Sequence, residues 1–239
     1  MRAKAWSITP EGTPSHRSAL DLALKAALDV SASAAALAAL SPILAAVAVA
    51  IRIDMGSPVL FRQVRPGYLG EPFRVWKFRT MTDDRDEDGN LLPDGERLTK
   101  LGRFLRETSL DELPQLINVL RGDMSLVGPR PLLMRYLPRY SPRQRLRMWA
   151  KPGITGWAQV HGRNALNWDS RLELDAWYVE NASLLLDIEI LARTVFQLVK
   201  RDDVLAGGGA EFPEFWGSEK PPEDGAWSIP VEEDETRTL

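Results

Sequence analysis

Residues 109–131 read SLDELPQLINVLRGDMSLVGPRP, and the reading of this stretch governs the rest of the chain. Asp111 and Glu112 are adjacent carboxylates ahead of an apolar run, Leu113, Leu116, Ile117, Val119 and Leu120. Glu112 follows Ser109 by three, so Thr108 or Ser109 reads as an N-cap and the pair as a capping box opening a helix. Pro114 suits the first turn, where its missing N–H breaks no bond. Arg121-Gly122 ends the helix, and a turn-rich segment closes on Gly128-Pro129-Arg130-Pro131. On spacing alone the two acids cap the helix and complement its dipole. A chemical role requires partners elsewhere.

Cations lie on both sides. Upstream, residues 97–107 form a short basic helix that delivers Arg106 five positions before Asp111. Residues 56–81 have strand composition around the turn Pro66-Gly67-Tyr68-Leu69-Gly70, which predicts a hairpin. Lys77 and Arg79 share one strand face by alternation with Trp76 and Phe78, either as a solvated surface or as a phosphate-binding one. In the loop 82–97, Asp84, Asp86, Asp88 and Gly89 match the first half of a calcium loop. Gly95 stands where a bidentate Glu belongs, so the loop reads as a solvated acidic one.

Further upstream, Val30 to Ile51 carries no charge. These 22 residues, at about 1.5 Å each, suffice for a hydrocarbon core of about 30 Å. A cleaved signal peptide and a buried soluble helix are alternatives; a membrane segment is preferred. Ser41-Pro42 sits at its centre, where proline removes a backbone bond and the serine hydroxyl can satisfy the freed carbonyl. Lys25 precedes the run, and Arg52, Arg62, Arg65 and Arg74 follow it. Basic flanks on both sides predict a re-entrant helix–break–helix with both ends cytoplasmic rather than a span.

Downstream, residues 132–151 mix Arg139, Arg143, Arg145 and Arg147 with Tyr136, Tyr140, Met148 and Trp149, which suits an interfacial helix on anionic lipid. A nucleic-acid surface is disfavoured by the overall acidity and the lack of any such motif. Residues 152–164 form a Gly-rich loop ending at Arg163 and Asn164. Two amphipathic helices follow over 168–183 and 184–201, with buried stripes at Leu172, Ala176, Val179 and at Ile188, Leu191, Val195, Leu198. Gly207-Gly208-Gly209 opens a Pro-rich acidic tail in which Phe212, Phe215 and Trp216 are candidates for docking.

Composition limits the chemistry. Cysteine is absent and the histidines are His16 and His161, which excludes thiolate and His-rich metal sites. From residue 211 onward there are nine acids and two bases, a balance of -7, so the preceding residues carry +4 of the net -3. A basic body suits anionic partners. A carboxylate pair, scattered cations and a membrane segment point to a phosphate ester and a lipid. A carboxylate can attack phosphorus to give an acyl phosphate. Oxygen-only ligands then favour Mg²⁺ for neutralising a diphosphate.

The strings FRQVRPG, VWKFRTM, SLDELPQLINVLRGDMSLVGPRPL and KPGITGWAQVHGRN, in this order, resemble the bacterial sugar transferase family, the monotopic polyprenyl-phosphate phosphoglycosyl transferases. The resemblance covers roughly residues 20–204. It implies transfer of a sugar-1-phosphate from a UDP-sugar to polyprenyl (undecaprenyl) phosphate, releasing UMP, by a ping-pong route. Asp111 matches the nucleophile and Glu112 the Mg²⁺-contacting partner. Lys77, Arg79 and Arg106 match cations near the phosphates, Pro129-Arg130-Pro131 the nucleotide segment, and Ser41-Pro42 the helix break. Lys25 with Asp29 matches the family's charged pair at the interface. Arg163 is a further phosphate or nucleotide candidate, and Asp123, Arg163 and Asp175 have structural roles as the alternative.

The expected fold is α+β and mainly helical, with a disordered lead (1–17), a re-entrant membrane helix (18–53), a catalytic globule with a small hairpin and interfacial helices (54–205), and an acidic tail (206–239). The expected location is the cytoplasmic face of a bacterial inner membrane, with anionic lipid as a partner, no nucleic acid, and room for a homo-oligomer. A UDP-linked HexNAc derivative is the expected donor. A non-catalytic membrane scaffold of a glycan pathway and a soluble anion-binding domain are the competing readings.

Overall fold

The computed structural model describes residues 17–162, 166–200 and 214–217. Helix α1 (Ala19–Asp54) opens on a capping box in which the Ser18 hydroxyl accepts from the Asp21 N–H and the Asp21 carboxylate accepts from the Ser18 N–H. Its length and apolar composition are enough to cross a membrane. Two helices separated by a break were expected at Ser41-Pro42; instead helical backbone continues through both residues. The Ser41 hydroxyl donates to the Ala38 carbonyl at 2.9 Å, the group that proline leaves without its N–H partner. That substitution lets the helix run on.

Both ends of α1 dock on the same globule. At the N-terminal end Arg17 and Lys25 pair with Asp187 at 2.7 and 3.1 Å, and Asp29 accepts from the Leu126 N–H. At the other end Ile51 is fully buried with Phe78 and Leu105, flanked by Leu44, Val47 and Met55. Between them Ser41, Pro42 and Ile43 are exposed.

The hairpin pairs β1 (Leu60–Pro66) with β2 (Pro72–Phe78), antiparallel, Leu60 opposite Phe78 and Pro66 opposite Pro72. After it, the acidic loop leads through a short helix α2 (Asp94–Arg97) to α3 (Lys100–Glu107), where Thr99 caps the Gly102 N–H at 2.9 Å. Helix α3 presses on the end of the hairpin. A Cβ built on Gly102 would lie 1.8 Å from the Thr80 carbonyl oxygen, which is backbone and cannot rotate away. Gly102→Ala should therefore destabilise the fold by about 1–3 kcal/mol, the usual cost of overpacking, read as a lower melting temperature.

Helix α4 (Gln115–Leu120) buries Leu116 and Val119 and stops at Gly122, whose φ of +81° suits glycine. A ladder absent from the sequence reading follows: β3 (Ser125–Val127) runs parallel to β4 (Gly153–Thr155). Its glycines serve backbone-to-backbone contact, since a Cβ on Gly153 would sit 2.1 Å from the Gly128 nitrogen.

Residues 134–149 do not form one basic interfacial helix. They fold as a 3₁₀ segment (Met134–Arg139), the short helix α5 (Pro142–Arg145) and a second 3₁₀ segment (Leu146–Trp149). Pro138 and Pro142 interrupt the pattern, and the arginines meet protein partners: Arg139 takes Glu214, Arg143 takes Glu173 and Glu180, and Arg147 takes Asp175. Beyond the short helix α6 (Trp157–Val160), α7 (Trp168–Asn181) buries the expected Leu172, Ala176 and Val179.

Helix α8 (Leu184–Lys200) faces differently from the stripe expected. Asp187 and Ile190 are buried and Leu191 packs half-buried against the core as expected, whereas Ile188 and Val195 are exposed together with Leu185 and Phe196. Turning Asp187 inward to meet Arg17, Lys25 and the Tyr178 hydroxyl rotates the apolar stripe outward. The side chain of Leu198 and the lead at 1–16 lie outside the described residues, as do Phe212 and most of the acidic tail.

Candidate active site

The carboxylate pair does not sit in a capping box. Helix α3 ends at Thr108, whose hydroxyl donates to the Phe104 carbonyl at 2.7 Å. Ser109 then takes a left-handed φ of 57° and makes no side-chain cap, and Leu110–Glu112 form a 3₁₀ turn. A non-glycine residue in that region is strained by about 1–3 kcal/mol, and such strain clusters at functional sites. The turn sends Glu112 away from the helix backbone and towards two cations. Asp111, its neighbour in the turn, is 8% exposed.

Glu112 is clasped. Lys77 Nζ lies 2.6 Å from its Oε1, and the Arg130 guanidinium grips both oxygens, with NH1 at 3.2 Å from Oε2. Such a fork is the strongest form of side-chain ion pair. The Arg130 side chain remains 41% exposed and that of Lys77 25%, so an incoming anion can reach both. Asp111 feels Glu112, Lys77, Arg130 and Arg106 through charge rather than hydrogen bonding.

The supports of these cations explain their positions. Asn118, buried in α4, accepts from the Trp76 N–H at 3.0 Å and donates to the Arg74 carbonyl at 2.8 Å, which fixes β2 and hence Lys77. Arg147 and Asp175, each about 2% exposed in their side chains, pair at 2.9 Å, and Arg147 also donates to the Arg130 carbonyl at 2.6 Å. Neither Asn118 nor Arg147 was singled out from sequence for the site. A lone amide inside LINVL is a visible signal for the first; Arg147 looked like any other arginine of its segment.

Of the remaining candidates, Arg106 donates from Nε to the Thr80 hydroxyl at 3.0 Å, and its charge still reaches Asp111. Arg79 is placed elsewhere. Its guanidinium binds the Met55, Ser57 and Met81 carbonyls and Asp83, joining the hairpin to the chain leaving α1. Pro129 is buried and its carbonyl accepts from the Gly153 N–H at 3.0 Å, while Pro131 is half-buried beside Arg130. Arg163 lies outside the described residues.

Electrostatics divides the pair. Burial, joined by the charge of Glu112, pushes the Asp111 carboxyl up to about 6 against the pull of Lys77, Arg130 and Arg106. About nine in ten such groups remain ionised at pH 7. Burial also disfavours a charged Glu112, but Arg130 and Lys77 outweigh it and hold that carboxyl well below the usual carboxylate range. One acid is thus a fixed anchor and the other a carboxylate poorly stabilised by its surroundings, suited to bond formation.

The donor set is compatible with Mg²⁺. Among the described residues no cluster of three or more acidic, His or Cys side chains could hold a metal by itself. Magnesium is commonly held by one or two carboxylates with substrate phosphates and water, and Asp111-Glu112 offers that much.

Comparison with known proteins identifies the family. The family profile described as bacterial sugar transferase matches residues 20–201. An uncharacterized sugar transferase of Bacillus subtilis, EpsL, is 52% identical over 195 residues, covering 82% of this chain and 96% of that protein. A UDP-glucose:undecaprenyl-phosphate glucose-1-phosphate transferase of Caulobacter vibrioides is 42% identical over 202 residues, 80% of this chain and 75% of the relative. A protein of the same name from Escherichia coli is 42% identical over 186 residues, and there the match spans only 40% of the relative.

Proposed function

The chain belongs to the bacterial sugar transferase family, and from that premise we propose that it transfers a sugar-1-phosphate from a UDP-sugar to polyprenyl phosphate through an aspartyl intermediate. The observation that carries this reading is the split pair: Asp111 buried and paired with no cation among the described residues, Glu112 clamped by Lys77 and Arg130.

An Asp111 carboxylate oxygen attacks the sugar-bearing phosphorus. The bond from that phosphorus to the bridging oxygen breaks, and UMP leaves with the electron pair. The lipid phosphate then attacks the same phosphorus, the P–O bond to the Asp111 carboxylate breaks with its electron pair returning to that oxygen, and Asp111 is regenerated beside a polyprenyl diphosphate sugar. Lys77 and Arg130 turn from Glu112 to the diphosphate oxygens, where charge accumulates in the transition state. Arg106 adds positive potential behind the nucleophile. Mg²⁺ bound by Glu112 and the substrate phosphates would supply neutralisation of the diphosphate.

Some relatives' names specify glucose or galactose as the sugar, while that of the Bacillus subtilis relative specifies none. A panel of UDP-sugars including HexNAc derivatives, assayed for UMP release with undecaprenyl phosphate, tests the reaction and identifies the donor. UMP release from at least one donor is the expected result; binding of partner proteins without UMP release from any donor would favour the scaffold reading.

We also infer attachment to the cytoplasmic face of the inner membrane with both ends of α1 on one side. Support comes from the docking of both α1 flanks on one globule and from the exposed apolar face of α8, which suits a lipid surface with anionic headgroups. Tags at either terminus should be accessible only from the cytoplasm. Pro42→Ala restores a full hydrogen-bond ladder and should shift a fraction of molecules to a straight span with a periplasmic N-terminus. Periplasmic labelling of the unaltered protein's N-terminus would contradict this topology.

A further inference from the structure

Outside the site, one short segment is held more tightly than its sequence suggests. Phe215 is 1% exposed, buried in an aromatic cluster with ring centroids at 5.3 Å from Trp168, 5.7 Å from Tyr136 and 5.7 Å from Tyr140. Its neighbours are recognised too. Glu214 pairs with Arg139 at 2.9 Å and Arg135 at 3.1 Å, the Phe215 carbonyl accepts from Arg139, and the Arg139 guanidinium lies 4.4 Å from the Trp216 ring centroid. Three consecutive residues are thus read by ring packing, ion pairing and a backbone hydrogen bond. That is the recognition expected of a docking peptide.

What lies under this peptide connects it to the carboxylate pair. The Tyr140 ring packs on Phe215, while its hydroxyl accepts from Arg147 at 3.0 Å. Arg147 is paired to Asp175 and donates to the Arg130 carbonyl at 2.6 Å. The Arg130 guanidinium ends on Glu112. Every link is a packed ring or a hydrogen bond, and the Tyr140, Arg147 and Asp175 side chains are buried, so the wall behind Arg130 moves as one piece.

We propose that Glu214-Phe215-Trp216 is a C-terminal latch that positions Arg130, acting through Tyr140 and Arg147. This rests on the assignment of Arg130 to the diphosphate site. The latch is a positioning element, because it touches Tyr136, Tyr140 and Trp168 rather than the reacting atoms. Undocking it leaves a hole in the aromatic cluster, frees residues 132–149 to shift, and loosens the backbone at Arg130.

The test uses the full chain in nanodiscs, the Phe215→Ala variant, and a synthetic peptide of residues 210–219, AEFPEFWGSE. Amide hydrogen exchange over residues 128–149 and the affinity for UDP with Mg²⁺ are measured in parallel. Phe215→Ala should speed exchange in that segment and weaken UDP binding about tenfold, within the range of couplings between separate sites. The peptide added in trans should restore both, the same peptide carrying F215A should restore neither, and Phe215→Leu should lie between. Unchanged exchange at residues 128–149 on Phe215→Ala would overturn the latch, as would faster exchange with UDP affinity unaltered. If the unaltered protein binds no UDP at all, the diphosphate-site assignment fails and the coupling to it fails with it, whereas exchange still reports whether the peptide docks.

Discussion

Asp111→Asn should abolish UMP release, with a fall of at least about 10⁴-fold, the scale seen when a covalent nucleophile is removed. The amide is isosteric and uncharged. Because burial already disfavours charge at this position, the variant should fold as well as the unaltered protein, so lost activity with an unchanged melting temperature isolates the chemistry. Asp111→Glu keeps the carboxylate and adds one methylene, which moves the attacking oxygen by more than the tolerance of in-line displacement; about 10²-fold or more should be lost. Substantial turnover by Asp111→Asn would remove the aspartyl intermediate from the mechanism.

Arg130→Lys should be damaging too, though less so than loss of the Asp111 carboxylate. The guanidinium grips both Glu112 oxygens at once while its backbone carbonyl is held by Arg147. Lysine retains the charge but cannot form the fork, so Glu112 keeps only Lys77 fully and the phosphate oxygens lose a planar donor pair. A fall of about 10²–10³ in kcat/KM is expected, comparable to removing one preorganised donor from a transition-state site. Retention of full kcat/KM by Arg130→Lys would show that the site uses Arg130 as a point charge alone, contrary to the geometry.

What was legible in the sequence follows from how local each cause is. The hairpin over Leu60–Phe78 and the long apolar helix declare themselves through alternation and composition, and Lys77 falls where strand alternation puts it. The acid pair was visible, yet its local reading as a capping box was incorrect. Ser109 instead takes a left-handed φ of 57° and makes no side-chain cap, a conformation that a non-glycine residue does not announce in sequence.

Long-range pairs stayed hidden for the same reason. The parallel ladder between Ser125–Val127 and Gly153–Thr155 and the Arg147–Asp175 pair join residues about thirty positions apart. In α8 the helical period holds but the buried face is rotated: Leu191 packs on the core, whereas Ile188 and Val195 point outward. An exposed apolar stripe is written like one facing a core, and only Asp187, turned inward to Arg17 and Lys25, decides between them. Phe215 was legible as a docking aromatic, but the cluster that receives it was not, because a three-residue anchor is too short to alter the composition of the tail.

The proposed intermediate carries a bond between Asp111 and phosphorus. Intact-protein mass spectrometry after mixing the enzyme with its UDP-sugar alone, without lipid acceptor, addresses it most directly. The predicted result is a mass increase of one sugar phosphate, located on the peptide containing Asp111, absent from Asp111→Asn and discharged when polyprenyl phosphate is added. A preparation that turns over donor and acceptor together, yet never carries that mass when rapidly quenched with donor alone, would contradict the account.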